Sequence, residues 1–288
     1  MPQTLMPQAL FTSSLFTSSL YLLCLSLMAV ACSGGRPPPI EPALSSVDSV
    51  SSNLSSRDLN RLREADIVII GETHDHPQHH LVQAEVIRRI RPKSVAFEMV
   101  NTDQQEALNQ LVDRPSDEWD QALAWSQRGW PDFELYRPVF KAALEVGAKL
   151  IAAHPAPVIL APLKLGGDLP HPLRERLKLD EPLPQEQREA LMENIRIAHC
   201  GHAPPALTEA MLKAQRLKDA WMSEALLSAP SPSLLIVGRG HVHPKRGIPW
   251  ALQQLKPSGG PKVQVLSLSP SLIVDREDDS VMTLKIKP

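Results

Sequence analysis

Two short aliphatic runs constrain this chain more than any other feature. Ile67-Val68-Ile69-Ile70 leads into Gly71-Glu72-Thr73-His74-Asp75-His76. Leu234-Leu235-Ile236-Val237 leads into Gly238-Arg239-Gly240-His241-Val242-His243. An uninterrupted β-branched or aliphatic run of this length marks a strand buried on both faces, as in parallel sheets. Each run ends in glycine and then presents a histidine. In open α/β sheets, ligands bind at the carboxyl ends of the strands. Two such strands would deliver His74 and His241 to the same edge and build one site from distant parts of the chain. Taken singly, each piece also reads as a plain strand-to-helix turn whose histidine only caps or packs.

The rest of the chain alternates in the same way. Residues 77–91 predict a helix, with Leu81, Val82, Val86, Ile87 and Ile90 on one stripe and Pro77 in the first turn. Residues 94–99 predict a strand that brings Glu98 to its end. Helices are expected at 101–111, capped by Asn101 or Thr102, at 117–126 and at 134–146. A strand at 149–154 ends in His154. From about 155 to 232 the pattern changes to a proline-rich patch and helical stretches at 185–197 and 208–227, read as a helical insertion or lid. Strands return at 233–237 and 262–268, and residues 271–274 and 281–286 suggest an edge hairpin around Asp275 to Asp279. The expected fold is α/β: a mainly parallel sheet with flanking helices and a helical lid subdomain.

The beginning of the chain is not part of that fold. Residues 15–31 are mostly apolar and end in Ala29-Val30-Ala31-Cys32, which resembles the lipobox of bacterial lipoproteins. No lysine or arginine precedes Arg36, a departure from the usual basic start of a signal peptide. The reading is a signal peptide over 1–31, lipidation at Cys32, a flexible Pro- and Ser-rich tether over 32–57, and a domain over 58–288. Ser33 after the cysteine, rather than Asp, points to an outer-membrane anchor facing the periplasm. The net charge of −2 argues against a nucleic-acid partner. The cysteines are Cys24, Cys32 and Cys200, so the mature chain is expected to have neither an intrachain disulfide nor a thiolate zinc cluster.

The polar groups at strand ends are Glu72, His74, Asp75 and His76, then Glu98, then His154, then Arg239, His241 and His243. Histidine with carboxylate suits zinc, manganese or iron. The same set suits acid–base hydrolysis with Glu72 or Glu98 as base. Glu98 also reads as a structural acceptor of backbone N–H groups, and His79 and His80 as a solvated helix face. There is no His-Glu-x-x-His, Gly-x-Ser-x-Gly, Walker or Gly-x-Gly-x-x-Gly pattern. Tyr136 lies among Trp130, Phe133 and Phe140, where it serves packing or acts as a phenolate ligand to ferric haem. His199-Cys200-Gly201-His202 reads as a helix end with Gly201 as its cap, or as a weak metal cluster.

Together these pieces resemble the ChaN-like family of haem-binding, iron-regulated lipoproteins. The resemblance runs from about residue 65 to 252. It rests on Gly71-Glu72-Thr73-His74-Asp75 with His79-His80, Phe97-Glu98-Met99, Gly129-Trp130-Pro131 with Tyr136 and Pro138, His199-Cys200-Gly201, Ala214-Gln215 with Asp219-Ala220 and Met222, and Gly238-x-Gly240-His241-Val242 with Gly247 and Pro249. It implies a haem (Fe) pocket under the helical segment, completed by a second subunit, with a role in haem or iron uptake or storage rather than in catalysis. It implies Tyr136 as the iron ligand, assisted by His74 or His241, and an outer-membrane haem receptor as a partner. Phe133, Leu135, Met211, Leu212 and Met222 would wall the haem. At His154-Pro155-Ala156-Pro157 the chain departs from the family, which more often has Asn and then Arg here. His154 then adds a ligand, or the site has drifted. The same grammar occurs in a wider group that includes Tiki-type metalloproteases and erythromycin-esterase-like hydrolases. This keeps a metal-dependent or acid–base hydrolase, with Glu72, His74, Glu98 and His241, as the alternative.

An acylated Cys32 binds the bilayer far more firmly than the tether alone. Cys32→Ser is therefore expected to move the protein from the membrane pellet to the soluble periplasmic fraction, as read by cell fractionation.

Overall fold

The computed structural model describes residues 54–164, 166–198, 204–269 and 281–285. Cys32, the apolar leader, His199 to His202 and the 271–274 half of the expected hairpin lie outside them. In chain order the elements are α1 (Ser56–Arg63), β1 (Ile67–Glu72), α2 (Pro77–Ile90), β2 (Ser94–Asn101), α3 (Gln105–Asn109), α4 (Trp119–Ala122), α5 (Phe133–Glu145), β3 (Lys149–His154), α6 (Pro157–Lys164), α7 (His171–Arg176), α8 (Gln185–Ala198), α9 (Pro205–Ser228), β4 (Ser233–Gly238), α10 (Ile248–Leu255), β5 (Val263–Ser269) and β6 (Val281–Lys285). Ser55 caps α1 in a capping box with Asp58. This helix thus begins inside the stretch, 32–57, expected to be tether.

The sheet runs β3-β2-β4-β1-β5-β6, and every described pairing is parallel. The two aliphatic runs lie side by side near its middle, with Glu72 opposite Gly238 in register. All residues of β1 and β4 are buried, as uninterrupted apolar runs require. One half of the expected hairpin, 281–286, is β6; the other half lies outside the described residues. β6 pairs parallel with β5, Val265 opposite Val281.

Side-chain alternation divides the core in two. Val68, Ile70, Val95, Phe97, Leu234 and Ile236 face α2 and α5, and Phe97 stacks on Phe140 with ring centroids 4.3 Å apart. Ile67, Ile69, Ala96, Leu235 and Val237 face Met222 and Leu226 of α9 and Ile248 and Leu252 of α10. The long helix α9 is therefore the second layer of the fold as well as the end of the insertion. Leu160, Leu163, Leu169, Leu177 and Leu217 give the insertion a small core of its own.

The helices expected at 101–111 and 117–126 are broken into short α and 3-10 turns. Polar side chains explain the breaks. Gln104 Oε1 accepts the Asn101 N–H at 3.1 Å, and its amide donates to the Leu123 carbonyl at 2.6 Å. Gln105 turns to the open edge of β3, accepting the Ala152 N–H and donating to the Leu150 carbonyl. The indole N–H groups of Trp119 and Trp125 donate to carbonyls of Leu111 and Pro131. These bonds hold the loop to the sheet in place of helix continuity. No helix among the described residues is long and apolar enough to cross a membrane.

Removing the Phe140 ring leaves a cavity against Phe97, Trp125 and Phe133. Phe140→Ala is expected to cost about 3–5 kcal/mol of unfolding free energy, measured by denaturant titration.

Candidate functional site

The two central carboxylates point to opposite faces of the sheet. Glu72, at the end of β1, turns toward α2 and α5. Glu98, on β2, turns toward α9. Both are buried. His74 bridges them, with Nδ1 2.8 Å from Glu72 Oε1 and Nε2 3.8 Å from Glu98 Oε2. Its ring lies so close to Gly238 that a Cβ there would sit 2.7 Å from Nε2, so this strand end must be glycine. Trp130 meets the ring edge-on, with centroids 5.0 Å apart. The His74 side chain is 31% exposed, making it the solvent-facing member of the cluster. Burial opposes its charge, but the bond to Glu72 and the charge of Glu98 outweigh burial and raise its pKa.

Glu72 is surrounded by donors. Its Oε1 accepts the Tyr136 hydroxyl at 2.5 Å, and its Oε2 accepts the Gln83 amide. Burial alone would raise its pKa, yet the His74 bond and the neighbouring histidines hold it below the ordinary carboxylate value. Tyr136 is fully buried. Burial and the adjacent Glu72 charge push its phenol well above the ordinary value, so it is a neutral donor. Two sequence expectations meet this geometry. The tyrosine expected under the helical segment lies on the α2/α5 face, opposite α9. Its oxygen would reach an iron only if Glu72 released it.

On the other face Glu98 Oε2 accepts the Gly238 N–H at 2.7 Å, and its Oε1 lies 3.1 Å from His241 Nε2. His241 Nδ1 lies 2.5 Å from Asp219 Oδ1. Burial disfavours an imidazolium here, but the charges of Glu98 and Asp219 raise the His241 pKa to about 10. Burial pushes Asp219 up to about 6 against the pull of His241. Glu98 is held well below the ordinary range by His241 despite full burial. His241 is buried with both nitrogens occupied, so it offers no lone pair to a metal and instead positions Glu98.

His154 is different. Its Nδ1 donates to the Pro155 carbonyl at 2.8 Å, which leaves the lone pair on Nε2. It is partly exposed at the end of β3. Burial and nearby Lys218 lower its pKa to about 4, so it is neutral at pH 7.

His79 and His80 are not a solvated face, since both are fully buried. His79 Nδ1 accepts the Thr73 N–H at 2.9 Å, and His80 Nε2 donates to the His74 carbonyl at 3.0 Å. They form the template for the turn that carries His74. With Gln83 they continue the inward stripe of α2, a helical spacing that could have identified them. Asp219 and Gln83 were not among the expected site residues. Asp219 lies one turn after Gln215 on α9, and Gln215 donates to the Gly240 carbonyl, so that helix face meets the His241 turn.

The structure thus brings Glu72, His74, Glu98 and His241 together, but pairs them with one another. Among the described residues no group of three or more His, Cys, Asp or Glu side chains is arranged around a metal position. The expected apolar walls are also dispersed. Phe133 and Leu135 belong to the first core, Met222 to the second, and Leu212 to a small cluster in the insertion.

The charge state of His241 sets a pH dependence. Its folded pKa lies near 10 against an ordinary 6.5, so its contribution is complete below pH 6.5 and is lost as pH rises through about 10. Wild-type stability is expected to fall between pH 7 and 10. His241→Gln should be about 3–5 kcal/mol less stable at pH 6, with two carboxylates left unpaired, and should show a flatter profile above pH 7 in urea titrations.

A ChaN protein of Campylobacter jejuni, solved in a study of its cofacial haem binding, has the same fold. It shares 23% identity at a TM-score of 0.67, covering 81% of this chain and 92% of that one. The type III effector HopBA1 shares 14% identity at a TM-score of 0.45, covering 88% of this chain and 98% of its own. A Bacillus cereus protein shares 14% at a TM-score of 0.41, covering 78% and 75%. No curated protein matches the chain. The profile of the family described as "Haem-binding uptake, Tiki superfamily, ChaN" matches residues 59–252, and the chain belongs to that family.

Proposed function

We propose that this chain binds haem across the carboxyl edge of its sheet, with His154 Nε2 as the iron ligand and His74 as a charged donor beside it. The observation that carries the reading is the tautomer of His154. The Nδ1–H donates to the Pro155 carbonyl and leaves the Nε2 lone pair on a neutral, partly buried ring at a strand end. His74, held between Glu72 and Glu98, favours its protonated form and suits an oxygen acceptor such as a propionate. Membership of a haem-binding uptake family supports the ligand class. Haem supplies the iron chemistry; the chain supplies one nitrogen, one cationic donor and their fixed orientation.

An open edge leaves one haem face uncovered, and a second copy of the chain would cover it. The cofacial haem binding of the Campylobacter protein is in keeping with that arrangement. With Cys32 acylated, the domain would stand at the outer membrane facing the periplasm. There it would store haem or pass it on from an outer-membrane haem receptor. The hydrolase reading has one observation in its favour, the meeting of Glu72, His74, Glu98 and His241. Both carboxylates, however, are held ionised and saturated with donors, so neither is poised as a general acid or a free base.

Hemin titration followed by absorbance tests the ligand. Wild type is expected to show saturable binding with an imidazole-type spectrum. His154→Asn should weaken binding at least tenfold and remove that spectrum. Tyr136→Phe should keep it, while losing about 1–3 kcal/mol of stability because a buried Glu72 oxygen loses its donor. The reverse pattern, with Tyr136→Phe abolishing the spectrum and His154→Asn leaving it intact, would assign the iron to the phenolate.

A further inference from the structure

The helical insertion holds a cavity of about 210 Å³ lined by residues that take no part in the edge just described. Leu163 of α6, Leu183 and Leu212 of α9 supply a buried apolar wall. The space exceeds the about 150 Å³ of an apolar cavity that admits benzene. Most charges around it are already paired. Arg174 reaches Asp168 at 2.8 Å and Asp180 at 3.0 Å, Arg188 holds Glu209, and Lys213 lies 3.8 Å from Asp168.

Arg216 of α9 is the exception among these lining cations. It makes no ion pair with any described carboxylate. Its Nη2 donates to the Glu181 carbonyl, and its guanidinium lies over the Trp250 ring at 5.5 Å. Its Nε is buried with no acceptor. Burial pulls its pKa below the ordinary guanidinium value despite the attraction of Asp219 and Asp180. A guanidinium kept partly out of water and short of one acceptor is a standing cost to the fold. The cavity that Arg216 lines gives an anionic ligand the room to lie against this cation, which no described carboxylate pairs.

We propose that this cavity is a binding site for a small monocarboxylate with a compact apolar body, the carboxylate on Arg216 and the hydrocarbon against the leucines. A carboxylate gives the guanidinium a counter-charge and matches the fork of donors on arginine. A neutral molecule of the same shape would bury the same apolar area and leave the guanidinium without a counter-charge. Selectivity for the acid over the alcohol is therefore the signature of the site. The proposal is independent of the haem reading, because none of these residues lies at the sheet edge.

The test is calorimetric titration of the full chain with octanoate and, separately, with octanol. Octanoate is expected to bind saturably at one equivalent and at least tenfold more tightly than octanol. Arg216→Gln should lose at least tenfold in octanoate affinity and leave octanol unchanged. Leu183→Trp, which fills the space, should abolish both, while hemin titration of either variant stays as in wild type and shows that the fold persists. If one variant fails to fold, the other variant and the wild-type comparison of acid with alcohol still decide. Absence of saturable octanoate binding, equal affinity for octanol, or undiminished octanoate binding in Arg216→Gln or Leu183→Trp would overturn the proposal.

Discussion

Two buried carboxylates govern the functional end of this sheet. An ionised carboxylate taken out of water costs several kcal/mol unless donors surround it. Glu72 and Glu98 therefore dictate their surroundings. Glu98 draws the Gly238 N–H and His241, and His241 in turn requires Asp219 from α9. Glu72 draws Tyr136 from α5 and Gln83 from α2. Strands from the middle of the sheet and helices from both layers are thus joined at one edge by charge and hydrogen bonds, where apolar packing ends. His74 is the link between the two systems, since it alone faces both carboxylates.

This arrangement decides which groups are free to act. Tyr136, His241, His79 and His80 are engaged in holding the edge together. His74 and His154 remain at the surface, the first drawn toward its charged form and the second kept neutral. A phenolate ligand would favour ferric iron and loosen on reduction, whereas a neutral imidazole serves both oxidation states. A chain that presents His154 in place of Tyr136 would therefore keep its haem through a change of redox state. Release would then depend on a partner, not on reduction.

The strands and the core were legible because apolar periodicity reports burial directly. The runs at 67–70 and 234–237 announced buried parallel strands ending at one edge, and the strand at 149–154 closed on His154 as its pattern indicated. Polar residues were harder to place. Nothing in the local sequence of His79 and His80 separates a buried template for a turn from a solvated face, since only the neighbouring Thr73 and His74 backbone makes burial affordable. Asp219 belongs to a motif of its helix that the resemblance marks, but its role is not legible there, because it exists only where His241 returns to it across the fold. The helices expected at 101–111 and 117–126 broke because Gln104, Gln105, Trp119 and Trp125 found backbone partners elsewhere, a competition that propensity does not record. The direction of β6 was equally invisible, because alternation marks a strand and says nothing of its orientation.

In the proposed haem site, His154 stands at a position that can change without disturbing the buried charges of the edge. The residue before a proline is confined to extended backbone, which suits the last position of a strand. Here the Pro155 carbonyl accepts the ring proton of its own neighbour. Tautomer and ring orientation are thus set within two residues, at an outer strand, without borrowing a partner from Glu72 or Glu98. A substitution at this position alters what the edge offers an iron atom and leaves the buried charges balanced. The reverse does not hold for Tyr136, whose hydroxyl cannot be given to a ligand without taking a donor from a buried carboxylate. In this chain a substitution at the rim of the sheet therefore disturbs the buried carboxylates less than one at Tyr136 does.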